Sequence, residues 1–319
     1  MKDLNSNAAI SISNLCKTYK DFEVLKDLSF SVNAGEIFGL LGPNGAGKTT
    51  AINLAIGLYK KDLGEISILG LDPSIHKKKV RKLIGLVPQD TNLYEDLSAS
   101  ENLWHHAALY CDDLTKARAG IEELLKLMEL WGRHKEPVRN YSGGMKRRLA
   151  LARALLHDPS IIFFDEPTLG VDVRGKHVLW NHVKKLGKLG KTVVVTTNDM
   201  AEADILTDRI GILDRGALVA LDTPENLKAS LRKDIVTLNT DSTVEDPENF
   251  FSGLNVSSIT KYEGNCLRLE VTDGQKAGPE LINRLSTKYQ ISSFQIARPT
   301  LDDVFLHLTG KGLREGGIS

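Results

Sequence analysis

Residues 36–58 read "EIFGLLGPNGAGKTTAINLAIGL". An apolar run ends at a glycine-rich loop, and a helical stretch, "TTAINLAIGL", follows at once. Gly42 to Thr49 fits G-x-x-x-x-G-K-[ST], a loop between strand and helix that cradles phosphate. Gly45 and Gly47 let the backbone turn its N–H groups inward, and the positive end of the helix dipole points at the same spot. Pro43, Asn44 and Ala46 fill out the loop, and Thr50 stands in the first turn of the helix. Lys48 supplies charge to the β- and γ-phosphates of a nucleotide, and the Thr49 hydroxyl is a magnesium ligand candidate. A functionless glycine-rich turn is the alternative, and the flanking strand and helix weigh against it.

Two further stretches carry chemistry. "SIIFFDEP", residues 160–167, is a buried strand that ends in Asp165 and Glu166. Two carboxylates there are costly unless a cation or a reacting water accepts them. Asp165 suits a magnesium shell and Glu166 the polarisation of an attacking water, against the plainer reading of a solvated strand end. "YSGGMKRRLALARALL", residues 141–156, places Ser142, Gly143 and Gly144 before Met145 at the start of a long helix. Helix capping explains the serine but not the paired glycines, whereas an anion brought by another molecule explains both.

Around these motifs the chain alternates strands and helices. "AISIS" and "EVLKDLSFSV" read as short strands, "GEISILG" and "KLIGLVPQ" as a further strand pair, and "KTVVVTTNDM" (191–200) as a buried strand ending at Asn198 and Asp199. Residues 98–157 read as mostly helical, opened by a capping box from Ser98 to Glu101. His105 and His106 are read as residues of a helix face, not as a metal site. The fold class is α/β, strands alternating with helices around a phosphate loop and interrupted by a helical insert at about 90–157. After "LDTPENLKASL" the composition shifts to a small α+β domain, residues 233–310. It ends in "TLDDVFLHLTG", where Leu301, Val304, Phe305 and Leu308 form a stripe capped by Thr300 and Asp303. The final "KGLREGGIS" reads as frayed.

Composition limits the partners. With 319 residues and 41 basic against 41 acidic side chains, the net charge is zero, so nothing electrostatic suggests a nucleic acid. Three scattered cysteines, Cys16, Cys111 and Cys266, suit free thiols in a reducing cytosol. The opening "MKDLNSNAAISIS" lacks the apolar stretch of a signal peptide, and no run approaches the roughly 18 apolar residues of a membrane helix. A cytoplasmic protein is expected.

The phosphate loop, Gln89 in "GLVPQD", the "YSGGM" helix and the "IIFFDEPTLGVD" strand occur in the order that resembles ATP-binding subunits of ABC transporters, a resemblance that covers about residues 8–225 as the nucleotide domain. The resemblance implies ATP and Mg2+ as cofactors and a head-to-tail dimer, each ATP lying between one phosphate loop and the other subunit's "SGG" helix. It implies that Tyr19 in "CKTYKDFEVL" stacks on adenine, that Gln89 reaches magnesium, and that Asp172 in "TLGVD" communicates across the dimer. The carboxyl-terminal domain, with "ARPTLDDVFLHLTG", is similar to the tail of daunorubicin-resistance type drug-export proteins, which pair with a separate integral-membrane permease. That places the chain at the inner face of the cell membrane, with a second ABC ATPase subunit, identical or different, as its other partner.

Two alternatives stay open, a soluble ABC ATPase without a transport role and a regulatory subunit that hardly hydrolyses ATP. The second rests on Asn198, because the resemblance puts a histidine there, bonded to the γ-phosphate. His182 lies in the preceding helix and His307 in the other domain, so neither substitutes, and Asp199 would bring negative charge towards phosphate and is a poor replacement. Asn198 keeps an N–H donor with shorter reach and no positive charge.

Overall fold

The computed structural model describes residues 8–261 and 265–310, which fall into two compact units divided between Thr223 and Pro224. The "KGLREGGIS" tail lies outside the described residues.

In the first unit, β1 (Ala8–Tyr19) and β2 (Phe22–Asn33) form a long antiparallel hairpin closed by Tyr19 opposite Phe22, longer than the short strands expected. β3 (Ile37–Leu41) is buried throughout and runs into the glycine-rich loop and α1 (Lys48–Ala55). β4 (Leu63–Ile68), α2 (Lys77–Leu83) and β5 (Ile84–Val87) follow. The sequence pairs β4 with β5, and the structure corrects this. β4 lies antiparallel beside β1 in a three-stranded sheet of order β2-β1-β4, while β5 pairs in parallel with the strand that ends in Asp165. The helix between them carries the chain from one sheet to the other.

The insert comprises α3 (Ala99–Tyr110), α4 (Leu114–Leu127) and α5 (Gly143–Leu155). Its capping box forms as expected, with Ser98 Oγ accepting from Glu101 N at 3.2 Å and the Glu101 carboxylate accepting from Ser98 N at 2.8 Å. β6 (Ile161–Asp165), α6 (Val173–Lys188), β7 (Thr192–Thr197), α7 (Met200–Leu206), β8 (Arg209–Asp214) and β9 (Ala217–Asp222) complete the unit. Six strands order as β5-β6-β7-β3-β8-β9, parallel except for β9. Leu103, Leu125 and Leu149 of the insert share one core with Phe164 and Val195 of the sheet, so the helices are anchored to β6 and β7.

In the second unit α8 (Pro224–Ser230) precedes β10 (Asp234–Thr240), α9 (Pro247–Phe250), β11 (Val256–Lys261), β12 (Cys266–Val271), α10 (Gly274–Ser286), β13 (Ile291–Ala297) and α11 (Leu301–Thr309). An antiparallel sheet of order β11-β12-β10-β13 packs Val236, Leu238 and Leu269 against Leu281 and Leu285 of α10. Thr300 and Asp303 cap α11 as expected, but Leu308 is 42% exposed, so the stripe is buried over its first two turns only.

A histidine pair sits in the seam between α3 and the sheet. His106 stacks on Tyr110 at 4.4 Å, and its Nε2 lies 3.4 Å from His157 Nδ1. Burial, with the charges of His157 and Arg153, pushes His106 down to about 3, and burial lowers His157 as well. Both rings are neutral in the folded chain at neutral pH. On unfolding they regain a value near 6.5 and take up protons below it, so stability falls as pH drops. The loss attributable to one such ring reaches about 1.4 kcal/mol per pH unit. Urea midpoints are expected to fall between pH 7 and pH 5 in the wild-type chain and to fall less in His106→Gln. An equal fall in both contradicts the assignment.

Candidate functional site

The pairing order β5-β6-β7-β3 sets four parallel strand ends side by side, the edge at which open α/β sheets bind ligands. Gln89 follows the first, Asp165 and Glu166 close the second, Asn198 follows the third and the glycine-rich loop follows the fourth.

The loop takes the shape its glycines allow. Gly45 and Gly47 have φ of +80° and +105°, in the left-handed region. A Cβ on Gly42 would lie 2.2 Å from the Leu213 carbonyl oxygen, and one on Gly47 would lie 2.7 Å from Leu25 Cδ2. One on Gly45 would meet nothing within 4 Å, so the loop is clamped on its inner side and open on the other. Ala46 is buried, Thr50 is half-buried and Thr49 is exposed at the start of α1. Lys48 Nζ donates to the carbonyls of Gly42 (2.7 Å) and Pro43 (3.0 Å) and lies 3.0 Å from Glu166 Oε1.

The acids at the end of β6 are held from several sides. Asp165 Oδ1 accepts from Thr49 Oγ1 at 3.1 Å and from Thr196 Oγ1 at 2.6 Å. The Glu166 backbone has φ of +47°, an uncommon conformation for a residue with a Cβ, and its N–H donates to the carbonyl and the hydroxyl of Thr196, both at 3.1 Å. Glu166 and Asn198 line one small cavity, beside Asp199 and Glu202. Glu202 is fully buried, with Trp180 Nε1 donating to its Oε1 at 2.9 Å, and burial pushes its carboxyl up.

Asn198 Nδ2 donates to Asn44 Oδ1 at 3.2 Å, which ties the end of β7 to the phosphate loop. Asp199 is engaged by α6 and α7. It caps α7 by accepting from Glu202 N (3.1 Å) and pairs with Lys176 Nζ (2.7 Å). Burial pushes the Asp199 carboxyl up, but Lys176 and the α7 N–H groups hold it below its ordinary value.

The remaining candidates lie further out. Gln89 is exposed and shares a groove of about 840 Å³ with Thr49 and Asp165. Tyr19 is 42% exposed, edge-on to Tyr59 at 6.4 Å. Asp172 caps α6, accepting from Gly175 N at 2.7 Å. Ser142 caps α5, accepting from Met145 N at 3.3 Å, while a Cβ on Gly143 or Gly144 would meet nothing within 4 Å. Sequence reading passed over Thr196, Lys176 and Arg147. A threonine in a β-branched run and cations in helices carry no local mark of what they reach.

Residues 25–169 match the ABC transporter family, and residues 223–309 match the C-terminal domain of DrrA1-3-like ATP-binding proteins. Over 315 residues the chain is 35% identical to the linearmycin resistance ATP-binding protein LnrL of Bacillus subtilis, covering 96% of this chain and 100% of that protein. The chain belongs to the ATP-binding proteins of ABC transporters. It is 36% identical to the daunorubicin resistance ATP-binding protein DrrA3 of Streptomyces coeruleorubidus, over 97% of this chain and 98% of that protein. The same identity and coverage of this chain relate it to the Nod factor export ATP-binding protein I of Burkholderia orbicola, matched over its full length. Among solved structures, an ATP-binding cassette dimer in a post-hydrolysis state with ADP and Pi superposes with a TM-score of 0.61 at 32% identity, over 67% of this chain and 98% of that one.

This ABC ATPase therefore binds and hydrolyses ATP, and the donor set fits that nucleotide. The open side of the loop, the Lys48 ammonium and the α1 N-terminus suit a polyphosphate. Lys48→Ala removes a buried charge-assisted donor, so ATP affinity is expected to fall about 10–100-fold. Glu166→Gln keeps the loop and is expected to bind nearly as the wild type does. Equilibrium titration with a fluorescent ATP analogue checks both, and equal affinities in Lys48→Ala and wild type contradict the assignment.

Proposed function

We propose that the chain is the ATP-hydrolysing subunit of a membrane exporter of drugs, lipids or other hydrophobic compounds, working as a dimer with a separate permease. The observation that carries the reading is the open start of α5. Beyond the Ser142 cap, a Cβ on Gly143 or Gly144 would meet no atom of the described residues within 4 Å, the open space that a site completed by another subunit's nucleotide requires. Residues 8–225 are the nucleotide domain and 233–310 an appendage that stabilises the dimer. The relatives named for linearmycin resistance, daunorubicin resistance and Nod factor export support the exporter reading.

In the reaction Lys48 and the N–H groups of the loop hold the phosphates, with Tyr19 stacked on the adenine. Thr49, Asp165 and Gln89 are the residues that would hold Mg2+, which would supply neutralisation of phosphate charge. Glu166 orients and polarises the attacking water, and Asp172 carries contacts across the dimer. Glu166→Gln removes the group that acts only in the reaction, so it should arrest turnover and leave an ATP-dependent dimer. Size-exclusion chromatography with ATP and magnesium checks this; a monomer under those conditions, with the permease present, overturns the head-to-tail dimer.

No helix among the described residues is long and apolar enough to cross a membrane, so the reading assigns transport to a partner. The helical insert near residues 90–140 is its docking place, and it exposes Tyr94 (61%) and Leu109 (76%). Crosslinks from residues 91–98 to a membrane protein are expected. Crosslinks confined to residues 224–310 overturn the placement.

A second reading, a slowly hydrolysing subunit, is favoured by the Asn198–Asn44 hydrogen bond, which occupies the amide on the loop. Losing one well-placed donor to developing charge costs roughly 10²–10³ in rate, and asparagine as a partial replacement costs less. Asn198→His is expected to raise the maximal ATPase rate with nucleotide affinity nearly unchanged. An unchanged or lower rate with the permease present removes Asn198 as the cause. The "YSGGM" helix is complete, so a slow site on this chain is compatible with a competent site on a different partner ATPase.

A further inference from the structure

Two arginines of α5 grip the segment that carries Gln89. Arg147 Nη1 donates to the carbonyls of Pro88 and Gln89, the latter at 3.0 Å, and Arg153 donates to those of Thr91 (2.8 Å) and Asn92 (2.6 Å). Arg147 differs from Arg153 in one respect. Its Nη2 also donates to the backbone carbonyl of Asp165 at 3.2 Å, so one planar guanidinium spans the ends of β5 and β6.

The setting of Arg147 is unlike that of its neighbours. Lys146 and Arg148 pair with Glu95 and Glu129 at 2.5 and 2.9 Å, both towards solvent. Arg147 is 4% exposed, and among the described residues its Nε has no hydrogen-bond partner and no carboxylate oxygen is bonded to it, although the negative charges of Asp165, Glu202 and Asp90 act on it. Burying a guanidinium on backbone carbonyls alone costs folding stability that an apolar side chain would not. Five residues before it on the same helix stands Ser142, the start of the open N-terminus.

We propose that Arg147 is a positioning residue that sets the spacing of Gln89 and Asp165 for a divalent cation and fixes that spacing to the helix presented to the other subunit. The inference rests on the assignment of Gln89 and Asp165 to the cation. Arg153 fastens the segment to α5 without touching Asp165, so it serves as the structural comparison.

The test uses the full chain and two measurements. Affinity for a fluorescent ATP analogue in EDTA reports the phosphate loop alone, and the electron paramagnetic resonance of Mn2+ reports cation binding to the ATP-loaded chain. Arg147→Gln is expected to keep the EDTA affinity and to weaken Mn2+ binding about tenfold or more, as loss of a residue supporting metal ligands does. Arg153→Gln is expected to shift neither, even where it lowers thermal stability. Arg147→Lys keeps the charge but not the fork, and should fold and still lose Mn2+ affinity. Wild-type Mn2+ affinity in Arg147→Gln overturns the proposal. So does an unfolded Arg147→Gln together with wild-type affinity in Arg147→Lys, because the residue is then structural. Equal loss in Arg153→Gln overturns it too, since fastening the segment is then sufficient. A wild-type chain that binds the nucleotide but no Mn2+ overturns the cation assignment itself.

Discussion

Placing Asp165 and Glu166 in the dry end of a sheet is the constraint from which the site is built. Both are less than a tenth exposed, and β6 behind them is buried throughout. An unpaired carboxylate in such a place is prohibitive, so its surroundings must supply charge or donors. Lys48 does so for Glu166, and the hydroxyls of Thr49 and Thr196 do so for Asp165. The left-handed backbone at Glu166 is held by two bonds from its N–H to Thr196, so the cost of that conformation is met by β7. The order β6-β7-β3 is thus a requirement of electrostatics as much as of packing.

The same arrangement joins the phosphate loop to the acids. Lys48 is shared between two loop carbonyls and Glu166, so one buried ammonium ties the loop after β3 to the end of β6.

The loop, the acids closing β6 and the open helix at Ser142 were legible in the sequence because each is local, a few residues whose chemistry and spacing carry their own reason. What was not legible depends on chain reversal. β4 and β5 look alike as short apolar runs, and only the helix between them decides that they join different sheets. Thr196 looks like any β-branched strand residue until β7 pairs with β6. Arg147 looks like one of three consecutive cations in a solvated helix, and burial alone separates it from Lys146 and Arg148.

Asn198 shows how a departure seen in sequence changes meaning in three dimensions. Read as a replaced histidine, it is a donor too short for its task. In the structure the amide is engaged by Asn44, a residue of the phosphate loop. Both side chains are neutral and short, so the bond brings β7 to the loop without adding charge that would compete with Lys48 for phosphate. An imidazole at 198 would exchange that neutral bond for longer reach and the capacity to carry positive charge. The neighbouring charge does not compensate, because Asp199 is committed to Lys176 and to the α7 N-terminus. The end of β7 is therefore secured to the loop by a neutral bond, which is the physical ground for proposing that position 198 affects turnover more than binding.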